Sequence, residues 1–224
     1  MTRKKGTYTR GRDLNHVAWL YDPLIEKLSF GRERRFREKT LRHMDIAGGD
    51  RILDIGCGTG SLTLMIAERL AGTAGKAIGI DAAPRMIAIA RRKARQRRQP
   101  AAAFHTGVAE ALDFATDSFD GVVNSMFAHH IDSDLKKRAF AEMYRVLKPG
   151  GFLLTADIDR PGTVFAGLVG WLSRYLLLQP ELEGNLKGQL PAIMQAAGFV
   201  DIRRLEQVYG LVSFFIAAKP GEKR

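Results

Sequence analysis

From Arg51 onward, short apolar runs alternate with stretches in which apolar residues recur every three or four positions, the two periods that separate buried strands from amphipathic helices. Residues 51–55 read as a strand, and 61–70 as a helix with Leu62, Met65, Ile66 and Leu70 on one face. A second strand over 76–80 stops at Asp81, and the helix predicted over 82–98 turns Met86, Ile87 and Ala90 inward and its arginines outward. Strands follow over 101–106 and 119–124, then a helix over 133–147 capped by Ser133 and stopped by Pro149-Gly150-Gly151, then a fifth strand over 152–157. Such alternation calls for a parallel sheet with helices on both faces, because right-handed crossovers place them there.

The rhythm changes in the last third. Residues 186–197 read as a helix ended by Gly198, and the strand-like runs 200–208 and 211–218 have only Tyr209-Gly210 between them, which forces an antiparallel hairpin. The expected fold is therefore α/β: a doubly wound, Rossmann-like, seven-stranded mixed sheet with a C-terminal antiparallel hairpin, preceded by N-terminal helices over 13–30 and 33–44. Residues 1–45 read as a helical cap with a basic arm, and 46–224 as the main domain with a helical insert at about 160–185. Ligands of open α/β sheets bind outside the carboxyl ends of the strands, and both appendages could lie over that edge.

The candidate chemistry begins where the first strand ends. Gly56, Gly58 and Gly60 stand at every second position after Asp54, and a turn without Cβ atoms can take positive φ and let a large cofactor lie against the backbone. A dinucleotide fingerprint would be G-x-G-x-x-G with a pyrophosphate at the helix N-terminus, whereas this chain has G-x-G-x-G. Asp81 suits a ribose diol in either cofactor class. Asp54 discriminates, because its carboxylate would repel a pyrophosphate and hold an ammonium group. S-adenosylmethionine carries an ammonium and a sulfonium and no phosphate, so it fits. Two plainer readings stand beside this one: the glycines as an ordinary tight turn, and Asp81 as the N-cap of the helix that follows it.

Leu53-Asp54-Ile55-Gly56-Cys57-Gly58-Thr59-Gly60, Gly79-Ile80-Asp81, Ser118-Phe119-Asp120 and Arg145-Val146-Leu147-Lys148-Pro149-Gly150-Gly151 stand in the order seen in class I S-adenosylmethionine-dependent methyltransferases. Within them the chain resembles the group of ubiquinone and menaquinone C-methyltransferases and bacterial phospholipid N-methyltransferases. The resemblance implies that Gly56, Gly58 and Gly60 line the methionine moiety, with Asp54 near its ammonium. Asp81 would accept both ribose hydroxyls, Ala82 and Met86 would flank the adenine, Ala109 and Glu110 would lie by its edge, and Asn124 would offer a backbone carbonyl near the ammonium. Cys57, inside the loop, joins this lining and reads as packing, since no histidine in matching context marks it as a catalytic thiol. Many relatives carry an aspartate where this chain has Val108, so adenine recognition falls here to backbone groups or to Glu110.

Charge and composition then narrow the setting. The chain of 224 residues carries a net charge of +11, with basic clusters at Arg3, Lys4 and Lys5, at 32–39 and at 91–98. Such faces are either plain solvated surface or attractors of phosphate, and without interleaved aromatics for base stacking, anionic lipid or an acidic partner ranks above nucleic acid. The single cysteine leaves no internal disulfide and no cysteine-based metal cage, and no metal is expected. The basic N-terminus is not followed by an apolar core, and the apolar run at 163–178 is short of the roughly 20 residues that span a bilayer. A cytoplasmic protein is expected, with peripheral contact to an anionic membrane as one option.

Methyl transfer from a sulfonium is an in-line displacement in which the protein chiefly aligns the nucleophile and excludes water. A general base is needed only for acceptors such as a phenol or a quinol carbon. His129 and His130 follow the fourth strand at the sheet edge and are the catalytic candidates; the plainer reading has one ring packed and the other capping the next helix. Tyr21, in Tyr21-Asp22-Pro23, resembles a tyrosine that closes over the cofactor in related enzymes, with a core tyrosine as the alternative. Phe165, Trp171, Tyr175 and Leu176–Leu178 make the insert apolar, either as core or as a cap over a lipid-like substrate. The expected activity is methyl transfer to a small or lipid-like acceptor such as a quinol or a phospholipid amine. The rival readings are a non-catalytic cofactor-binding partner subunit and a nicotinamide-dependent oxidoreductase.

Overall fold

The computed structural model describes residues 32–176 and 180–221, so the helix expected over 13–30 and the basic arm lie outside the described residues. Helix α1 (Arg32–Arg42) is followed by strand β1 (Arg51–Ile55), helix α2 (Ser61–Arg69), β2 (Lys76–Asp81), α3 (Pro84–Gln96), β3 (Ala102–Thr106) and β4 (Phe119–Ser125). After a single 3₁₀ turn at Ala128–His130 come α4 (Ser133–Val146), β5 (Leu147–Ile158), α5 (Val164–Leu176), α6 (Leu182–Leu186), α7 (Leu190–Ala196), β6 (Val200–Val208) and β7 (Val212–Ala218). The strands form one seven-stranded sheet in the order β3-β2-β1-β4-β5-β7-β6, parallel from β3 to β5 and antiparallel at β7 and β6, as the pattern of residues predicts.

Side-chain alternation along β1 divides the core. Leu53 and Ile55 face a cluster with Phe119, Phe140, Met143, Leu190 and Phe199, while Ile52 faces the other side with Leu62, Ile66 and Leu70 of α2 and its C-cap. Asp54 shares the face of Ile52 and is buried beneath α2, so its carboxylate is forced into apolar surroundings by the same period that builds the sheet. The strand order reverses at β1, which pairs with β2 on one side and β4 on the other, so the carboxyl ends of β1 and β4 flank the crevice where α/β sheets receive ligands.

Local differences from the expected elements have physical causes. The cap of α4 is Asp132, not Ser133: its carboxylate accepts from the backbone N–H groups of Asp134 at 3.0 Å and Leu135 at 2.8 Å. Pro149-Gly150-Gly151 does not stop that helix. Leu147 is already extended, and the three residues lie inside β5, where Gly150 takes φ +77° and its N–H donates to the Lys219 carbonyl. The helix expected over 186–197 begins only at Leu190, as α7, because Gly188 turns the chain at φ +73°; Leu186 instead ends the short α6. The hairpin pairs Val208 with Val212, leaving a three-residue turn in which Tyr209 and Gly210 both take positive φ.

Because Asp132 satisfies two otherwise unbonded N–H groups at a helix start, Asp132→Ala is expected to lower unfolding free energy by about 1 kcal/mol in urea titrations, and Ser133→Ala by much less.

Candidate active site

Beyond Ile55 the chain reverses through Gly56, Gly58 and Gly60, at φ +70°, +53° and +76°. A Cβ on Gly56 would stand 2.5 Å from the Phe127 ring, and one on Gly60 would stand 2.5 Å from the Phe104 ring. A Cβ on Gly58 would meet nothing within 4 Å. Packing and backbone conformation thus require the outer glycines, while Gly58 combines positive φ with open space against which a ligand can lie.

The turn is tied to the end of β2. Gly58 N donates to Asp81 Oδ2 at 2.9 Å, Ala83 N donates to Asp81 Oδ1 at 2.8 Å, and Cys57 N donates to the Ile80 carbonyl at 2.9 Å. Asp81 does not cap α3: that position belongs to Ala83, with Pro84 beginning the helix. Burial raises the Asp81 pKa, opposed by the two N–H donors. Gly107 N donates to the Asp81 carbonyl at 3.0 Å, which brings the segment with Val108, Ala109 and Glu110 beside the same strand end. Ala109 is buried and Glu110 half-buried, and past Asp81 the exposed Ala82 precedes the buried Met86 of α3.

Asp54 is 2% exposed, and Thr63 Oγ1 of α2 donates to its Oδ2 at 2.6 Å. Burial pushes its pKa up to about 7, the Thr63 hydrogen bond opposes that shift, and the nearby Asp81 charge adds to it. Cys57 points its sulfur at Gly79, where a Cβ would approach within 2.8 Å, and burial pushes the thiol well above its ordinary range. It is a packing residue. Asn124 is fully buried; its Nδ2 donates to Thr155 Oγ1 at 2.9 Å, its Oδ1 has no partner among the described residues, and its backbone stands in register with Ile55 and Thr155 of the neighbouring strands.

Past β4 the chain makes a second constrained turn. Met126 takes φ +52°, a left-handed conformation that side chains rarely adopt. Phe127 N and Ala128 N then donate to Asp157 Oδ2 at 2.8 and 2.6 Å, while His129 Nδ1 lies 2.7 Å from Asp157 Oδ1. Asp157 ends the apolar part of β5 and is completely buried; desolvation opposes its charge, but the His129 imidazole and the Ala128 N–H more than offset this and hold the carboxyl below its usual range. The carboxylate fixes the proton on Nδ1, so His129 presents Nε2 as its basic nitrogen. The His130 ring lies against that of His129, with centroids 3.9 Å apart and planes tilted by 43°, and it does not cap α4, because Asp132 does. The Phe127 ring against Gly56 joins this turn to the glycine turn.

Asp157 is the buried residue of this turn that residue patterns leave unread. Its signal is one also carried by Asp54 and Asp81, an aspartate at the carboxyl end of an apolar strand. Tyr21 lies outside the described residues, as do Leu177 and Leu178. Among the described residues no cluster of His, Cys, Asp or Glu is arranged to hold a metal ion.

A doubly wound sheet with a glycine turn at β1, a carboxylate at the end of β2 and a buried carboxylate where a pyrophosphate would be repelled defines a methyltransferase of the class that uses S-adenosylmethionine. Residues 52–151 match a family model described as "Methyltransferase domain". The chain is 33% identical to the demethylmenaquinone methyltransferase of Thermus thermophilus, over 92% of this chain and 99% of that protein. It is 30% identical to the 2-phytyl-1,4-naphtoquinone methyltransferase of Thermosynechococcus vestitus, over 91% and 96% of the two chains. Among solved structures, phosphoethanolamine N-methyltransferase 2 of Haemonchus contortus in complex with S-adenosyl-L-methionine superposes with a TM-score of 0.63 at 21% identity, over 82% of this chain and 52% of that one. The [4+2]-cyclase SpnF superposes with a TM-score of 0.66 at 20% identity over 97% of this chain and all of that one, which shows that the fold by itself does not fix the reaction. The chain belongs to the class I S-adenosylmethionine-dependent methyltransferases, in the group that includes the quinone methyltransferases.

The raised pKa of Asp54 has a definite sign. A carboxyl that binds its proton more tightly when folded loses stability for the protein as pH rises from its unfolded value near 4 to its folded value of about 7. Asp54→Asn, which keeps a partner for Thr63, is expected to remove that slope of at most about 1.4 kcal/mol per pH unit and to be more stable than wild type above pH 7 in urea titrations across pH.

Proposed function

We propose that this protein methylates a ring carbon of a quinol-like acceptor, with His129 as the general base and Asp157 as its positioning residue. The observation that carries this reading is the buried Asp157–His129 pair on the turn that packs against the glycine loop. Similarity over almost the full chain to quinone methyltransferases supports the acceptor class.

The residues present fit the cofactor. Among the described residues the buried Asp54 carboxylate is hydrogen-bonded by Thr63, through its side chain and its backbone N–H, which leaves acceptor capacity for a ligand ammonium, and Gly58 leaves room against the backbone. Each Asp81 oxygen accepts one N–H and retains a lone pair for a ribose hydroxyl. Gly56, Gly60 and Cys57 shape the turn, Met86 and Ala82 would flank the adenine, and Ala109 with Glu110 would meet its edge in place of the carboxylate that Val108 lacks. The carbonyl of Asn124 would face the ammonium. Bound there, S-adenosylmethionine supplies an electrophilic methyl group on a sulfonium.

The work left to the protein is acid–base. His129 Nε2 takes the proton of a quinol hydroxyl, and the electron pair moves into the ring and raises the nucleophilicity of the adjacent carbon. That carbon would bond to the methyl as the methyl–sulfur bond breaks and S-adenosylhomocysteine leaves; its own proton would then pass to solvent while His129 returns a proton to the ring oxygen, so the ring regains aromaticity as the methylated quinol. Asp157 keeps the imidazole in the tautomer that can accept, and stabilises the imidazolium that forms. His130, whose tilted ring lies against His129, borders the same edge. A lipid-like acceptor and the net charge of +11 together support a peripheral encounter with an anionic membrane; no helix among the described residues is long and apolar enough to cross one.

Incubation with S-adenosylmethionine and a reduced demethylated naphthoquinol is expected to add one methyl group by mass spectrometry. Cofactor binding without transfer to any quinol would overturn the acceptor. His129→Ala should lower turnover by roughly 10²- to 10⁴-fold while calorimetric affinity for S-adenosylmethionine stays unchanged. Asp81→Asn should weaken that affinity by at least about tenfold, since charge-assisted hydrogen bonds are worth roughly 1.5–3 kcal/mol each.

A further inference from the structure

Helix α5 is assembled the wrong way round for a core helix. Its protein-facing side carries small residues: Ala166 is 5% exposed, and at Gly170 a Cβ would come within 2.8 Å of Leu186. Its outer side carries large apolar ones, with Val164 at 94%, Phe165 at 75%, Leu168 at 65%, Leu172 at 51% and Tyr175 at 65% exposed. The positions 165, 168, 172 and 175 follow helical spacing and make one continuous stripe. Tyr209, 65% exposed at the tip of the β6–β7 hairpin, extends it, because Gly210 packs against Ala166 and Thr163. An amphipathic helix normally hides its large apolar face, so an exposed stripe of this kind marks a surface that meets another apolar phase.

We propose that the outer face of α5, with Tyr209, is a docking surface for an anionic lipid bilayer. The proposal rests on the lipid-like acceptor reading and names the element that would meet the membrane. Charge complementarity favours a bilayer over another protein face. Arg160, two residues past the end of β5 and four before α5, is exposed, as is Arg204 of β6, which pairs with Asp159 at 3.8 Å, and the whole chain carries +11. Tyrosines at both ends of the stripe have the apolar body and polar tip that suit the headgroup boundary. The direction is also right. Helix α5 follows the carboxyl end of β5, and α6, tied to α5 by the Arg174–Glu183 ion pair, sends Asn185 Nδ2 to the Ile158 carbonyl at 2.8 Å, one residue from Asp157. The segment that carries the stripe is thus anchored through α6 at the edge of the sheet that holds His129, and docking would bring that edge near the lipid.

The test is sedimentation of the full-length protein with phosphatidylcholine vesicles, with and without phosphatidylglycerol. Wild type should bind the anionic vesicles, and Phe165→Glu/Leu168→Glu/Leu172→Glu should lower the partition by at least roughly tenfold with an unchanged melting temperature. Equal binding by the two proteins, or none by wild type, overturns the proposal. A second measurement uses an environment-sensitive dye on Leu168→Cys. Aqueous emission in buffer that shifts to the blue on vesicle addition supports docking. Apolar emission already present in buffer overturns it, naming a second copy as the occupant if light scattering shows a dimer, or the chain's own N-terminal segment if it shows a monomer. Neither readout needs cofactor or acceptor. Vesicle binding without quinol methylation would refute the acceptor alone, and methylation of a water-soluble quinol without vesicle binding would refute the docking alone.

Discussion

A carboxylate withdrawn from water must find hydrogen-bond donors, and this protein uses that requirement to assemble its working edge. Asp81, at the end of β2, reaches sideways to the N–H of Gly58 in the loop after the neighbouring β1. Asp157, near the end of β5, reaches sideways to the N–H groups of Phe127 and Ala128 in the loop after the neighbouring β4. Each strand-end aspartate thus immobilises the loop of the strand beside it. The loops pinned in this way are the glycine turn and the histidine turn, and Phe127 lying on Gly56 locks one to the other. Asp54 differs in kind: with Thr63 as its hydrogen-bond donor among the described residues, it keeps a high proton affinity that a cationic ligand can relieve.

Residues that look alike in the chain divide into two groups in space. The turn at Gly56–Gly60 and Asp81 stand at the carboxyl edge. The Ser118-Phe119-Asp120 and Arg145-to-Gly151 stretches fasten the opposite edge. Asp120 accepts from Arg51 N at 2.7 Å and from Lys148 Nζ at 2.6 Å, which binds β1, β4 and β5 at their amino ends, and Arg145 donates to the carbonyls of Leu112 and Phe114. Sequence resemblance in those stretches therefore speaks for the scaffold, and only the first group speaks for the ligand.

The sheet was legible because its cause is local. Continuous apolar runs buried on both faces make β1, β2 and β4, and the three-to-four spacing of Met86, Ile87 and Ala90 makes the inner face of α3; both are written in consecutive residues. The helix cap was misplaced by one position because Ser133 and Asp132 are both good caps, and the choice depends on which oxygen reaches the Leu135 N–H. The helix expected over 186–197 starts late because Gly188, unremarked in a helical pattern, sits in the left-handed region. Asp157 escaped notice for a different reason. Its partner His129 is 28 positions away, and nothing in either neighbourhood reports the distance between them once the chain folds. The apolar insert was visible, but which side of α5 faces outward depends on Leu186 lying against Gly170.

The double duty of these carboxylates limits how the protein can change. Any change at Asp81 also releases Gly58, and any change at Asp157 also releases the turn that carries His129. Loop architecture and the proposed chemistry therefore hang on the same side chains at the sheet edge. The segment from α5 to α6 rests on small-residue contacts and a few polar ties, so it can diverge in side chains while the edge beneath it stays fixed. One scaffold can in this way keep its methyl donor constant and exchange the molecule that receives the methyl.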